Sequence, residues 1–161
     1  MNNNVSRISY LAMVAALVAA AMVSSVWYSP LLFGKQWMEL SGMSPAGPTH
    51  TTINAWKFFI DVVREFVVIY VLAGLVNGLG IVNWRGALNL GFWVWLGFPV
   101  QMLVGASLCD NKPWALDLIH AGDWLIKMLL IALILAKWPR VQMARVQTSS
   151  FVAGQDAAAN Q

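Results

Sequence analysis

Four ionisable residues recur along one apolar stretch of the chain: Asp117, His120, Asp123 and Lys127. On an ideal helix they fall within an arc of about 120°. A second apolar stretch carries Asp61, Arg64 and Glu65, which share an arc of about 100°. Such groups on facing helical surfaces can do three kinds of chemistry. They can form ion pairs and hydrogen bonds that fix helix register. They can handle protons or cations, or hold a small polar substrate, because ionisable groups inside membrane spans are functional candidates by default. The D-x-x-H-x-x-D face of Asp117, His120 and Asp123 can also offer oxygen and nitrogen ligands to a metal. The metal reading is the weakest, because the three positions span nearly two turns and no second His stands nearby. Register fixing is favoured, and no residue is assigned as a metal ligand.

Charge balance sharpens the choice. Asp61, Glu65, Asp117 and Asp123 bring four negatives, against two positives from Arg64 and Lys127. With His120 neutral, two carboxylates lack a partner, and in low dielectric they cannot all remain ionised alone. A proton, a charged His120, a bound cation or penetrating water must settle the difference.

Motifs for other chemistry are missing. The sequence has no HExxH, no phosphate-binding glycine loop and no nucleophile–base order of known type. No catalytic or cofactor-binding residue is therefore assigned, and a non-enzymatic protein is expected. His50 lies in a turn-rich stretch. "GLVNGLG" (74–80) reads as a packing surface and helix end. "FWVWLGF" (92–98) reads as core or lipid contact, and the eight Met residues as adaptable packing. The single Cys109 can form no internal disulfide and has no CxxC partner.

The elements that must position the charges follow from composition. Of 161 residues, 59% are hydrophobic and 11% charged, against about 25% charged in soluble domains. An integral membrane protein in contact with the lipid bilayer is expected. The net charge of +3 and pI near 9.3 do not point to nucleic acid. The basic residues sit at the ends of apolar spans, and no basic aromatic-laced face accompanies them.

Four spans are expected, at about residues 8–27, 56–80, 84–108 and 113–138, each near the roughly 20 residues a bilayer core requires. Trp27, Tyr28, Trp56, Trp84, Trp114 and Trp138 mark their ends. The first span also resembles a signal peptide, with a basic start and a small-residue end, but its apolar run is long for one. Ala15, Ala16, Ala19, Ala20 and Ala21 suit close helix packing equally well. Arg7, Arg85, Lys137, Arg140 and Arg145 fall on one side and Lys35, Lys57 and Lys112 on the other. Both termini are therefore expected inside, with the loop 28–55 outside. Within that loop, Pro30 to Leu40 can form a short interfacial helix, and Asn54 can cap the second span. The stretch 146–161 is small and polar, and is expected to be disordered.

Depth ties the charges together. At 1.5 Å per residue, Asp61 and Asp117 lie roughly 6–7 Å below the outer ends of their helices. Arg64 and His120 lie about 10–12 Å down, Glu65 and Asp123 about 14–15 Å, and Lys127 about 20 Å. Gln101 sits roughly 10 Å from the outer end of the third span, just after Pro99, which should kink that helix. Ser24 and Ser25 lie near the outer end of the first. One polar site in the outer half of the bundle, fed by all four helices, is the expectation.

Several segments carry a resemblance. "WYSPLLFGKQWMEL" after the first span, "VWLGF" in the third, and "KPWALDLI" with "ALILAKW" in the fourth resemble the small membrane proteins of domain of unknown function 1761. The resemblance runs from the first helix to Trp138. It implies an all-α fold, a four-helix transmembrane bundle in a bacterial cytoplasmic membrane, with no established activity and no cofactor. Similar proteins often carry an aromatic residue where this chain has Asp123 and a small residue where it has Lys127. The resemblance thus favours Trp27, Tyr28, Ser29, Pro30, Gly34 and Trp37 as a shared interfacial element, with Pro30 ending the first helix and Trp37 anchoring the loop. Function is expected to be that of an accessory or oligomeric membrane subunit, a homo-oligomer or part of a larger complex. The alternative is a small transporter or channel-like protein for protons, cations or a small polar solute.

Overall fold

A computed structural model describes residues 9–42, 55–110 and 113–138. Asn54, His50, Lys112 and the tail 146–161 lie outside the described residues, as do Arg7, Arg140 and Arg145. Among the described residues there are six helices and no strand. They are α1 (Tyr10–Trp27), α2 (Gly34–Leu40), α3 (Ala55–Gly78), α4 (Trp84–Gly97), α5 (Pro99–Asp110) and α6 (Trp114–Lys137). The stretches α1, Trp84–Cys109 and α6 are long and apolar enough to cross a membrane. Every bilayer-length stretch of α3 contains Asp61, Arg64 and Glu65, so α3 has the length but not the composition.

Local chemistry sets the helix ends. Ser9 caps α1, its hydroxyl accepting from the Ala12 N–H at 3.4 Å. Asn83 caps α4, its side-chain oxygen accepting from Gly86 N–H at 2.6 Å. At the end of α3 the Ile81 N–H donates to the Val76 carbonyl, and the Gly80 N–H to that of Asn77. This double closure needs a left-handed residue, and Gly80 supplies it at φ 64°. Pro113 immediately precedes α6, where a missing N–H costs nothing. The expected third span is two helices rather than one. Pro99 has no N–H to offer the Trp95 carbonyl, and the chain breaks at Phe98 (φ −121°, ψ −72°) before α5 begins.

α6 is the axis of the fold, because α1, α2, α3, α4 and α5 all pack on it. Ala12, Ala16 and Ala20 recur at steps of four on α1 and are buried, so the small residues let α1 approach closely. Met13 of α1, Ile69, Leu72 and Val76 of α3, and Ile131 of α6 complete the most buried layer. Of the small residues singled out in the first span, Ala16 and Ala20 face this core, whereas Ala21 is exposed. On α4, Gly91 lies directly on the α6 backbone. A Cβ built there would stand 2.9 Å from the Met128 carbonyl oxygen.

That contact yields a comparison. Gly91→Ala should cost about 1–3 kcal/mol, since backbone on backbone cannot yield cheaply. At Gly105 of α5 an added Cβ meets nothing within 4 Å, so Gly105→Ala should be neutral or gain up to about 1 kcal/mol. Thermal unfolding of both variants in detergent checks the contrast.

Candidate functional site

The polar residues of α6 point in several directions, and each direction meets a different helix. Lys127 and Asp123 stand one turn apart on α6, their Nζ and Oδ2 atoms 3.0 Å apart. The same ammonium reaches Glu65 Oε2 on α3 at 3.3 Å. The other Asp123 oxygen accepts from the Ser24 hydroxyl on α1 at 3.0 Å. The face of Trp124 covers the ammonium, with its centroid 4.3 Å from Nζ. Side-chain exposure is 6% for Lys127, 5% for Asp123 and 13% for Glu65. Three helices are thus clasped by one dry ionic group. It contains two carboxylates and one ammonium, and Glu65 Oε1 is buried with no hydrogen-bond partner.

Nearer the start of α6, the resembling element folds onto the same helix. The Trp27 indole donates to the Ile119 carbonyl at 3.0 Å. Its ring lies over Gly122, where a Cβ would come within 2.6 Å of Trp27 Cζ2. The Tyr28 hydroxyl and His120 Nδ1 are hydrogen-bonded at 2.8 Å. Tyr28 also meets Trp37 edge to face at 5.6 Å, and Trp27 packs on Phe33 at 4.7 Å. Ser29 organises the reversal from α1 to α2. Its hydroxyl donates to the Val26 carbonyl and accepts from Leu31 N–H, and its carbonyl accepts from Gly34 N–H. Gly34 must be Gly, because a Cβ would lie 2.4 Å from the Tyr28 carbonyl oxygen. Pro30 is exposed in this turn, and α1 has already ended at Trp27. Burial holds the Tyr28 phenol well above the usual tyrosine range; the Asp123 charge adds to the rise and the Arg64 charge opposes it.

The remaining expected members lie elsewhere. Asp117, in the first turn of α6, accepts a hydrogen bond from the Ser107 hydroxyl on α5, and both are buried. The helix N-terminus favours a negative charge there. Asp61 and Arg64 pair with each other at 2.7 Å, with side chains 67% and 62% exposed, and the Arg64 guanidinium lies 5.9 Å from the Trp124 ring centroid on α6. Gln101 is exposed on α5. The single site expected from depth is therefore divided. Depth set which residues share a level, but the side chains diverge around α6 to different neighbours. Asp117, His120 and Asp123 turn to Ser107, Tyr28 and Lys127 respectively. Among the described residues no three His, Cys, Asp or Glu side chains are grouped to hold a metal.

Ser107, Trp124 and Trp95, whose indole donates to the Ala121 carbonyl at 2.8 Å, were not legible as site residues. The one signal available was a hydroxyl or indole N–H within an apolar span, where each such group must find a partner.

The Tyr28 shift carries a pH consequence. Below about pH 10, the ordinary tyrosine value, both folded and unfolded states hold the phenol proton and its contribution is complete. As pH rises further, the unfolded chain releases the proton first, so stability should fall. Tyr28→Phe should make that alkaline fall shallower while losing about 1 kcal/mol near neutrality with the His120 bond. Unfolding at stepped pH in detergent reads both effects.

No curated protein and no solved structure matches this chain. A family model described as "Protein of unknown function (DUF1761)" matches residues 11–136, which takes in α1 through nearly all of α6, both the interfacial element and the ionic group. The chain belongs to the domain of unknown function 1761 family.

Proposed function

We propose that the chain is a four-helix integral membrane protein of the bacterial cytoplasmic membrane with both termini inside. It acts as a non-enzymatic accessory or oligomeric subunit, and its ionic group holds the bundle in register. In this reading α4 and α5 are two halves of one span and α3 is the fourth. The span of α3 is feasible because Glu65 faces Lys127, and Asp61 and Arg64 neutralise each other. The observation that carries the reading is Lys127 between Asp123 and Glu65, joining α6 to α3 in surroundings almost free of solvent.

The test is thermal unfolding in detergent. Lys127→Met leaves two carboxylates facing each other without a cation and should cost about 3–5 kcal/mol. Asp123→Asn should cost less, because Glu65 still balances Lys127. Asp117→Asn should cost least, because the amide oxygen can still accept from Ser107. A Lys127→Met protein as stable as wild type, or more so, would mean the charges are kept at a cost to folding, as functional groups often are.

That outcome would favour a second reading, a small transporter or channel-like protein for protons, cations or a small polar solute. One observation supports it: the unpartnered Glu65 Oε1, beside a group with one more carboxylate than ammonium. It requires proton or cation flux in liposomes that Glu65→Gln abolishes. Wild-type protein without flux above empty liposomes rejects it.

A further inference from the structure

α3 packs on α6 and α1 through one line of residues, Glu65, Ile69, Leu72 and Val76. On an ideal helix Phe58 and Asp61 lie within about 40° of Glu65, on the same side. Phe58 is nevertheless 66% exposed, and Asp61 is equally open. Among residues 56–64 Val62 is half-buried and the others are exposed. Beyond Glu65, toward its start, α3 therefore parts from the bundle, and the side that continues the packing line is uncovered. The opposite wall of this gap is Trp124 of α6, with the Arg64 guanidinium 5.9 Å from its ring centroid. Glu65 and Lys127 form its foot, roughly 15 Å below the start of α3. Lipid does not suit the gap. Asp61 and Arg64 are each more than 60% exposed, at a depth where charge uncovered to hydrocarbon is expensive. Water solvates both and leaves Arg64 on Trp124.

We propose that the outer halves of α3 and α6 enclose a water-filled vestibule, open to the outside, which gives protons access to Glu65. The proposal rests on the reading that α3 crosses the bilayer with residues 28–55 outside. It requires proton binding, not passage across the bundle. The floor selects the proton. Two carboxylates share one ammonium there, so the group carries one negative charge too many. A metal ion has no place, because Lys127 Nζ already stands 3.0 Å from Asp123 and 3.3 Å from Glu65. Among the described residues no three His, Cys, Asp or Glu side chains are grouped to hold one. A proton needs a single lone pair, and Glu65 Oε1 has no hydrogen-bond partner. A proton on that oxygen breaks no contact. Glu65 Oε2 still accepts from Lys127, Asp123 still balances the ammonium, and the group becomes neutral. The other titratable groups around it are engaged: Asp61 with Arg64, and Tyr28 with His120.

The first experiment uses the full chain in spheroplasts with Cys109→Ser, which removes the sequence's single thiol. Cysteines are placed one at a time at Phe58 and Asp61, on the vestibule side, and at Ile60 and Val63, about 140–160° from Glu65 on the same helix. A membrane-impermeant maleimide reacts with the thiolate, which forms in water and not in hydrocarbon. F58C and D61C should be labelled at least tenfold faster than I60C and V63C. Lys35→Cys, exposed in α2, should be labelled as the outer reference. Four unlabelled positions on α3 with a labelled K35C overturn the vestibule alone. Four equally labelled positions place this half of α3 in bulk water and reject the membrane span with it. An unlabelled K35C rejects the outward opening. The second experiment leaves the site untouched. The chain has two glutamates, Glu39 and Glu65, so isotope-labelled glutamate in Glu39→Gln protein reports the Glu65 carboxyl carbon by itself. In liposomes its resonance should move on acidification, and Asp117→Asn should leave that response unchanged. A Glu65 resonance that does not respond overturns the proton assignment.

Discussion

Everything in this structure is arranged around one ammonium group. Lys127 sits in the middle of the helix that all others touch, with two carboxylates and an indole face against its ammonium. A buried cation without partners is not tolerable, and with them it is only roughly neutral to stability. Its value lies in geometry. Moving α3 along or around α6 would part Glu65 from Lys127, the cation that it faces in these nearly solvent-free surroundings. Ser24 extends the same constraint to α1 through Asp123.

The turn after α1 works by a related logic. Trp27, Tyr28 and Trp37 anchor the α1–α2 reversal to α6 through one indole bond, one phenol–imidazole bond and one ring contact. Gly34 and Gly122 clear space for it. Gly122 and Asp123 are neighbours, so one residue of α6 admits the Trp27 ring while the next receives Ser24. The interfacial element and the ionic group are therefore not separate features. Both fix the same pair of helices, within little more than one helical turn.

Much of this was readable from residue order. Apolar length located α1, α3 and α6, Pro99 marked the break between α4 and α5, and Gly80 closed α3. Glu65 and Asp123 were expected at one depth, and both reach the same Lys127 ammonium. Rotation about each helix axis was not readable. Asp61 and Arg64 fell within the same arc as Glu65, yet they stay mostly exposed and pair with each other while Glu65 reaches Lys127. Gln101 had the right depth and the wrong azimuth. Ser107 meets Asp117 because α5 is a separate helix after the break, and no periodicity reveals where a broken helix points. The family resemblance pointed to the interfacial element, whose residues are dense in specific contacts. It suggested that Asp123 and Lys127 are particular to this chain, and the structure makes them partners.

The link between Glu65 and Lys127 also has a temporal side. The two residues are 62 positions apart, and a ribosome adds about 5–20 residues per second. Glu65 is therefore made several seconds before the side chain that neutralises it. During that interval α1 and α3 exist without the axis on which they will pack, and α3 carries a carboxylate with no cation but Arg64 nearby. The contact between Glu65 and Lys127 therefore cannot close until α6 has been made, and until then α3 lacks the cation that Glu65 meets in the finished fold.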